Sequence, residues 1–272
     1  MLLRPPMRPT LAAGFVWPCL PTSAAKPPSG ERWLHEVKHD GFRVIARKID
    51  KRVKLYSRSG NDLTYRFPLI VEAMDKLRVQ SCAVDGEAVA CSEDGLSSFD
   101  RICYRQHDAS VFMWAFDLIE LDGDDLRFDP LETRKSMLAT LLLRAPPGLR
   151  LNEHIEEEDG SLVFQHACKL GLEGIVSKHK DSRYHSGRSR HWIKSKNPLS
   201  PAIRREAEID WQQRWPRRAR SSSSRGVAAI RSQRRRRGRG HYRNREIVRR
   251  ASVSIDFTLL AIKIEYEQAN CR

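Results

Sequence analysis

The stretch WLHEVKHDGFRVIARK, residues 33–48, places an alternating apolar run, a lysine and an Asp-Gly pair in direct succession. Alternation of this kind reads as a half-buried strand, and Asp-Gly reads as a tight turn. Lys38 therefore ends a strand and abuts a turn, with Arg43 five residues further on. Taken alone, such a lysine is a solvated surface charge. Its meaning depends on what the rest of the chain brings to it.

Working outward, 32–38, 42–48 and 52–58 read as three antiparallel strands joined by His-Asp-Gly and Asp-Lys turns. Leu69, Ile70, Ala73, Met74 and Leu77 recur at helical spacing. SCAVDGEAVAC, from Ser81, is a strand interrupted by Asp85-Gly86, and SVFMWAFDLIEL, from Ser110, is a nearly continuous apolar strand suited to a sheet centre. Pro130 opens a helix striped by Leu131, Met137, Leu138, Leu141 and Leu142. A strand (LRLNEHI), a helix stopped by Gly171, and two strands (LEGIVSK and RHWIKSKN) follow. The fold class is α+β, with largely antiparallel sheets flanked by helices. Neither G-x-G-x-x-G nor G-x-x-x-x-G-K-[ST] occurs, so a nucleotide would be held without a glycine-rich loop.

Charge divides the chain. Its 272 residues carry a net +15, but residues 212–272 hold 17 of the 49 basic side chains and only 4 of the 34 acidic ones. The first 211 residues are thus close to neutral, and the basicity that suggests a polyanionic partner belongs to the tail. Residues 1–30, rich in Pro and Ala, read as an extended N-terminal arm; 31–211 read as one domain; 212–272 read as an Arg/Ser-rich low-complexity tail, disordered up to about residue 250, after which SVSIDFTLLAIKIEYEQ regains strand-like alternation. The six cysteines show no C-x-x-C pair and no zinc spacing, which favours reduced thiols and a cytoplasmic protein. No apolar run approaches a membrane span.

Charged residues recur inside the apolar strands. Lys194 and Lys196 are two apart and share one strand face, an arrangement that is costly unless an anion lies over them. Glu87 and Glu173 each sit beside a glycine in an apolar strand. Together these residues outline a cleft lined by lysines, arginines and carboxylates, which is what a metal-bound triphosphate requires.

KHDGFR at 38–43 resembles the K-x-D-G-x-R signature of the covalent nucleotidyltransferases: DNA ligases, RNA ligases and mRNA capping enzymes. The companion motifs follow in order: SRSG at 57–60, DGE at 85–87, FDL at 116–118, EGIVSK at 173–178 and WIKSK at 192–196. The series is most similar to the adenylation domain of bacterial ATP-dependent DNA ligases of the double-strand-break repair type. That resemblance implies a nucleotidyltransferase fold and a cycle in which Lys38 attacks the α-phosphorus of ATP, releases pyrophosphate and carries AMP as a phosphoramidate. AMP then passes to the 5′-phosphate of nicked or broken DNA, and the phosphodiester bond is sealed, in DNA repair and recombination. It further implies that Glu36 meets the adenine edge, Arg43 and Glu87 hold the ribose, Phe116 stacks on the base, and Glu173 positions Mg²⁺ or Mn²⁺. Lys194 and Lys196 would contact the α-phosphate, and Arg58 the nick 5′-phosphate. Asp85 reads as shaping its turn, and Lys178 matches the pattern without a distinct role. A free lysine amine has a pKa of about 10.4, so neighbouring cations and burial are expected to lower that of Lys38.

Family members continue into an oligonucleotide-binding barrel, whereas residues 212–272 have neither its composition nor its R-x-D-K motif. That departure bears on complete nick sealing. The tail is compatible with a DNA-tethering arm, a charged extension or a slipped reading frame. An RNA ligase, a GTP-using capping enzyme and a non-catalytic DNA-binding remnant are the alternatives, and other break-repair proteins are expected partners.

Overall fold

A computed structural model describes residues 14–92, 97–105 and 107–203. Its strands fall into two sheets that the chain crosses between repeatedly. The first sheet contains β1 (Cys19–Ser23), β2 (Trp33–Val37), β9 (His154–Ile155), β10 (Gly174–His179) and β11 (Gly187–Lys196) in the order β1-β11-β10-β2-β9. The second contains β3 (Phe42–Ile49), β4 (Arg52–Ser57), β5 (Ser81–Val89), β6 (Phe112–Leu121) and β7 (Asp124–Asp125), ordered β4-β3-β5-β6-β7, with β8 (Leu149–Leu151) alongside β6. All pairings are antiparallel except β1 with β11 and β6 with β8. The helices are α1 (Pro68–Asp75), α2 (Phe99–Cys103), α3 (Leu131–Leu142) and α4 (Gly160–Lys169).

Strand alternation assigns each face its core. On β3, Val44 and Ala46 join the cluster that α1 and α3 cover, whereas Ile45 faces Leu34, Phe116 and Trp192 between the sheets. The first nine residues of β6 are buried, as a central strand covered on both faces requires. Pro68 occupies the first turn of α1, where its missing N–H costs nothing, and Lys48 donates to the carbonyls of Asp75 (2.7 Å) and Leu77 (2.6 Å) at the far end.

Three expectations need correcting. The strands at 33–37 and 42–49 do not pair: β2 lies against β10 in one sheet and β3 against β5 in the other. Asp40-Gly41 is therefore a crossing between sheets rather than a hairpin turn. Gly41 is needed there because a Cβ would lie 2.3 Å from the Ala88 carbonyl oxygen. The segment taken as an arm supplies β1, which runs parallel to β11, so it is part of the domain. LRLNEHI splits at Asn152 into β8 and β9, a second crossing between the sheets. The tail lies outside the described residues.

Candidate active site

Both crossings deliver side chains to one place. Lys38 follows β2 directly, with its backbone N–H bonded to the Gly174 carbonyl (3.0 Å). The residue opposite is set by how α4 ends. Leu172 N–H bonds to Ala167 O (3.0 Å) and Gly171 N–H to Cys168 O (3.1 Å), with Gly171 in the left-handed region at φ 75°. This Schellman stop turns the chain into β10 and leaves Glu173 facing Lys38.

The Lys38 ammonium lies 2.6 Å from Glu173 Oε2, and Lys196 Nζ lies 3.7 Å from the other oxygen. Lys194 stands two residues back on the same strand, opposite Val176. Lys38 borders two adjoining clefts. One runs between the sheets past Glu36, Arg43, Glu87, Phe116 and Trp192. The other opens beside Asp40, Ser97, Asp100 and Glu173.

Burial disfavours the Lys38 ammonium, but the carboxylates of Glu173 and Glu87, with the Glu173 hydrogen bond, outweigh it and raise its pKa. This reverses the expected direction, because the cations anticipated around Lys38 are less influential than these acids. Glu87 shows the converse: burial pushes it up to about 7, against the pull of Lys38 and Arg43.

Arg43 forks onto Asp85 at 2.6 and 2.7 Å and donates to Cys19 O at 3.0 Å. Asp85 also accepts from the Tyr184 hydroxyl at 2.6 Å. Asp85 thus anchors an arginine in mid-strand rather than shaping a turn. Burial opposes the Arg43 charge, yet the Asp85 carboxylate holds it firmly protonated. The guanidinium carbon sits 4.4 Å from the centre of the Phe116 ring.

Glu36 closes the deep end. Its carboxylate takes Lys135 on one oxygen (2.6 Å) and Lys178 on the other (2.7 Å), all three being buried. Burial alone would raise the Glu36 pKa, but the two ammoniums lower it. Two cations sharing one carboxylate leave the second undercompensated. Burial first, and Lys135 as well, bring Lys178 down to about 8. Lys178 also lies 4.2 Å from the Phe116 ring centre and 4.1 Å from that of Trp192, which gives it the role the sequence left blank. His39 stacks on Trp114 at 4.9 Å and meets Asn152 Oδ1 at 3.2 Å, and burial brings it down to about 4.

The expected residues Glu36, Lys38, Arg43, Glu87 and Phe116 line one cleft; Glu173 is joined to it through Lys38, and Lys196 through Glu173. Arg58 stands apart, in a separate recess with Trp17. Sequence reasoning missed Lys135, Asn152, Tyr184 and Trp192. Lys135 sits on a helix as an ordinary polar residue, and nothing local marks it as buried.

Two features suit a polar, aromatic-faced ligand. Phe116 offers a ring on the wall, and Trp192 keeps a buried indole N–H without a hydrogen-bond partner. For a metal, no trio of His, Cys, Asp or Glu side chains converges among the described residues. Glu173 and Glu87 flank Lys38, and one or two carboxylates completed by water and phosphate oxygens suffice for Mg²⁺.

Residues 20–196 match the family described as ATP dependent DNA ligase domain. The multifunctional non-homologous end joining protein LigD of Pseudomonas aeruginosa is 37% identical over 189 residues, which is 68% of this chain and 22% of that protein. The SPbeta prophage-derived DNA ligase-like protein LigB of Bacillus subtilis is 32% identical over 185 residues, covering 66% of this chain and 67% of that one. Among solved structures, the ligase domain of M. tuberculosis LigD aligns with a TM-score of 0.60 at 34% identity, covering 66% of this chain and 60% of that chain. A mycobacterial DNA ligase D complexed with ATP and MES aligns at 0.59 and 33% identity, covering 66% and 59%. The chain spans about a fifth of the length of the LigD relatives.

Proposed function

The chain belongs to the ATP-dependent DNA ligase family, and from that premise we propose that it is an adenylating module whose nucleophile is Lys38. The observation that supports this most is the Lys38–Glu173 contact at the junction of an aromatic-walled cleft and an open acidic one. In the reaction, Lys38 Nζ forms a bond to the α-phosphorus of ATP as the bond to the pyrophosphate oxygen breaks. The amine must first give up a proton, and Glu173 Oε2 at 2.6 Å is its nearest acceptor. The adenylate then moves to a 5′-phosphate of nicked or broken DNA, restoring the free amine, and a 3′-hydroxyl displaces AMP to seal the strand.

The other residues prepare this step. Phe116 stacks on the base, and Glu36, fixed by Lys135 and Lys178, holds the end of the cleft that the base edge reaches. Arg43, held rigid by Asp85, meets the ribose with Glu87. Lys194 and Lys196 take the α-phosphate, and Arg58 takes the DNA 5′-phosphate. Glu173 would hold Mg²⁺ or Mn²⁺, which when bound supplies neutralisation of phosphate charge. No helix among the described residues is long and apolar enough to cross a membrane. We place the protein in the cytoplasm, in break repair and recombination alongside other repair proteins.

The test is a chase. Protein labelled from α-labelled ATP should transfer its label to 5′-phosphorylated nicked DNA, with GTP giving none. Label that forms but moves only to RNA would favour an RNA ligase. No label from ATP would reduce the chain to a DNA-binding remnant.

A further inference from the structure

Outside the cleft, Trp17 is 60% exposed, in a domain whose other pocket-wall aromatics are buried. It is held in place: Phe15 packs edge-on beneath it at 5.0 Å and rests in turn on Tyr56 at 5.7 Å. The recess beside it is completed by Leu20, Arg58, Ser59 and Ser186, and no acidic side chain lines it. Arg188 is the register partner of Leu20 across β1 and β11, so it stands on the same face. Arg58 and Arg188 are both exposed and have no ion-pair partner among the described residues. Arg58 follows Ser57, which pairs with Val44, so it lies beside Arg43 at the end of the sheet where Asp40-Gly41 crosses. Pro21, the neighbour of Leu20 on β1, lines the cleft that holds Lys38. The recess and that cleft thus lie on either side of one strand.

An exposed, packed indole beside Arg58, with Arg188 on the same face of the neighbouring strand and neither arginine ion-paired among the described residues, has the chemistry to take one unstacked nucleotide: the ring accepts a base face, and the arginines accept backbone phosphates. We propose that this recess binds a DNA strand near its reacting 5′-phosphate, with a base on Trp17 and backbone phosphates on Arg58 and Arg188. A duplex interior keeps its bases stacked, so the recess selects frayed ends or single-stranded overhangs. This rests on the ligase reading for its choice of polyanion, and the experiment separates the two.

The full chain is irradiated with 5′-phosphorylated overhang DNA carrying 5-iododeoxyuridine near the phosphate, and the adduct is mapped by mass spectrometry. Lysyl-adenylate formation from α-labelled ATP is measured in parallel. The expected adduct lies at Trp17. Trp17→Ala should weaken overhang binding roughly tenfold, as loss of one stacked base does, and Trp17→Phe should restore most of it. Arg188→Ala should reduce the salt dependence by about one counterion. Both Trp17→Ala and Arg188→Ala should label with ATP like the wild type. An adduct that maps only elsewhere, or a Trp17→Ala chain that loses labelling along with DNA contact, overturns the proposal. A wild type that crosslinks at Trp17 but never labels supports the recess and overturns the ligase reading.

Discussion

Lys38 meets opposing forces, and their balance predicts how its chemistry depends on pH. Burial favours the neutral amine, but Glu173 and Glu87 favour the ammonium and prevail. In a single turnover at saturating ATP, the rate of adduct formation should therefore climb through neutrality and keep rising into the alkaline range. A rate already flat by pH 7 would show that the amine is neutral in the reacting complex. Glu87 gives a second prediction. With its pKa raised from 4.5 to about 7, the folded chain holds a proton that the unfolded chain has lost between those values. Stability should fall as pH rises across that window, and Glu87→Gln should show a shallower fall in chemical denaturation at its two ends. Equal slopes for the two proteins would contradict the assignment. The motif lysines, Glu87 and Glu173 were legible because a charge inside an apolar strand is an anomaly in one dimension. Asp85, Lys135 and Lys178 were not, since their significance comes from partners 42, 99 and 142 residues away in sequence, at Arg43 and Glu36.

At the level of elements, the site depends on where the chain leaves one sheet for the other. Asp40-Gly41 carries it from β2 to β3, and the Asp40 carboxylate accepts from the Phe99 N–H (3.3 Å) at the start of α2. Gly41→Ala would drive a Cβ into the Ala88 carbonyl, so backbone must move. The expected cost is about 1–3 kcal/mol in stability, with a loss of adenylation larger than that destabilisation explains. Full activity at a lowered melting temperature would show that the crossing tolerates displacement. The strands themselves were readable from alternation and the helices from their stripes. Sheet membership was not: alternation reports that a strand is half covered, but not which neighbour covers it. For the same reason the Asp-Gly turn suggested a hairpin, and β1, a short Cys-Leu-Pro-Thr-Ser segment amid prolines, gave no strand signal.

Across the whole molecule, the near-neutral body and the strongly basic residues 212–272 predict separable behaviour. Removing the tail should weaken binding to any DNA chiefly at low salt, through lost counterion release, and leave labelling by ATP unchanged. A collapse of labelling would place part of the catalytic domain beyond residue 211. The α+β class and the order of motifs were visible in the sequence because the series runs through one continuous domain. The facing of the two sheets was not visible, because it is fixed by a buried cluster drawn from both, including Leu34, Ile45, Phe116 and Trp192. The most direct measurement is peptide mapping of the full chain after incubation with ATP and Mg²⁺. A single adenylate is expected on the peptide bearing Lys38, and none on Lys38→Ala. An adenylate on any other side chain, or an unmodified Lys38 in active wild-type protein, would contradict this.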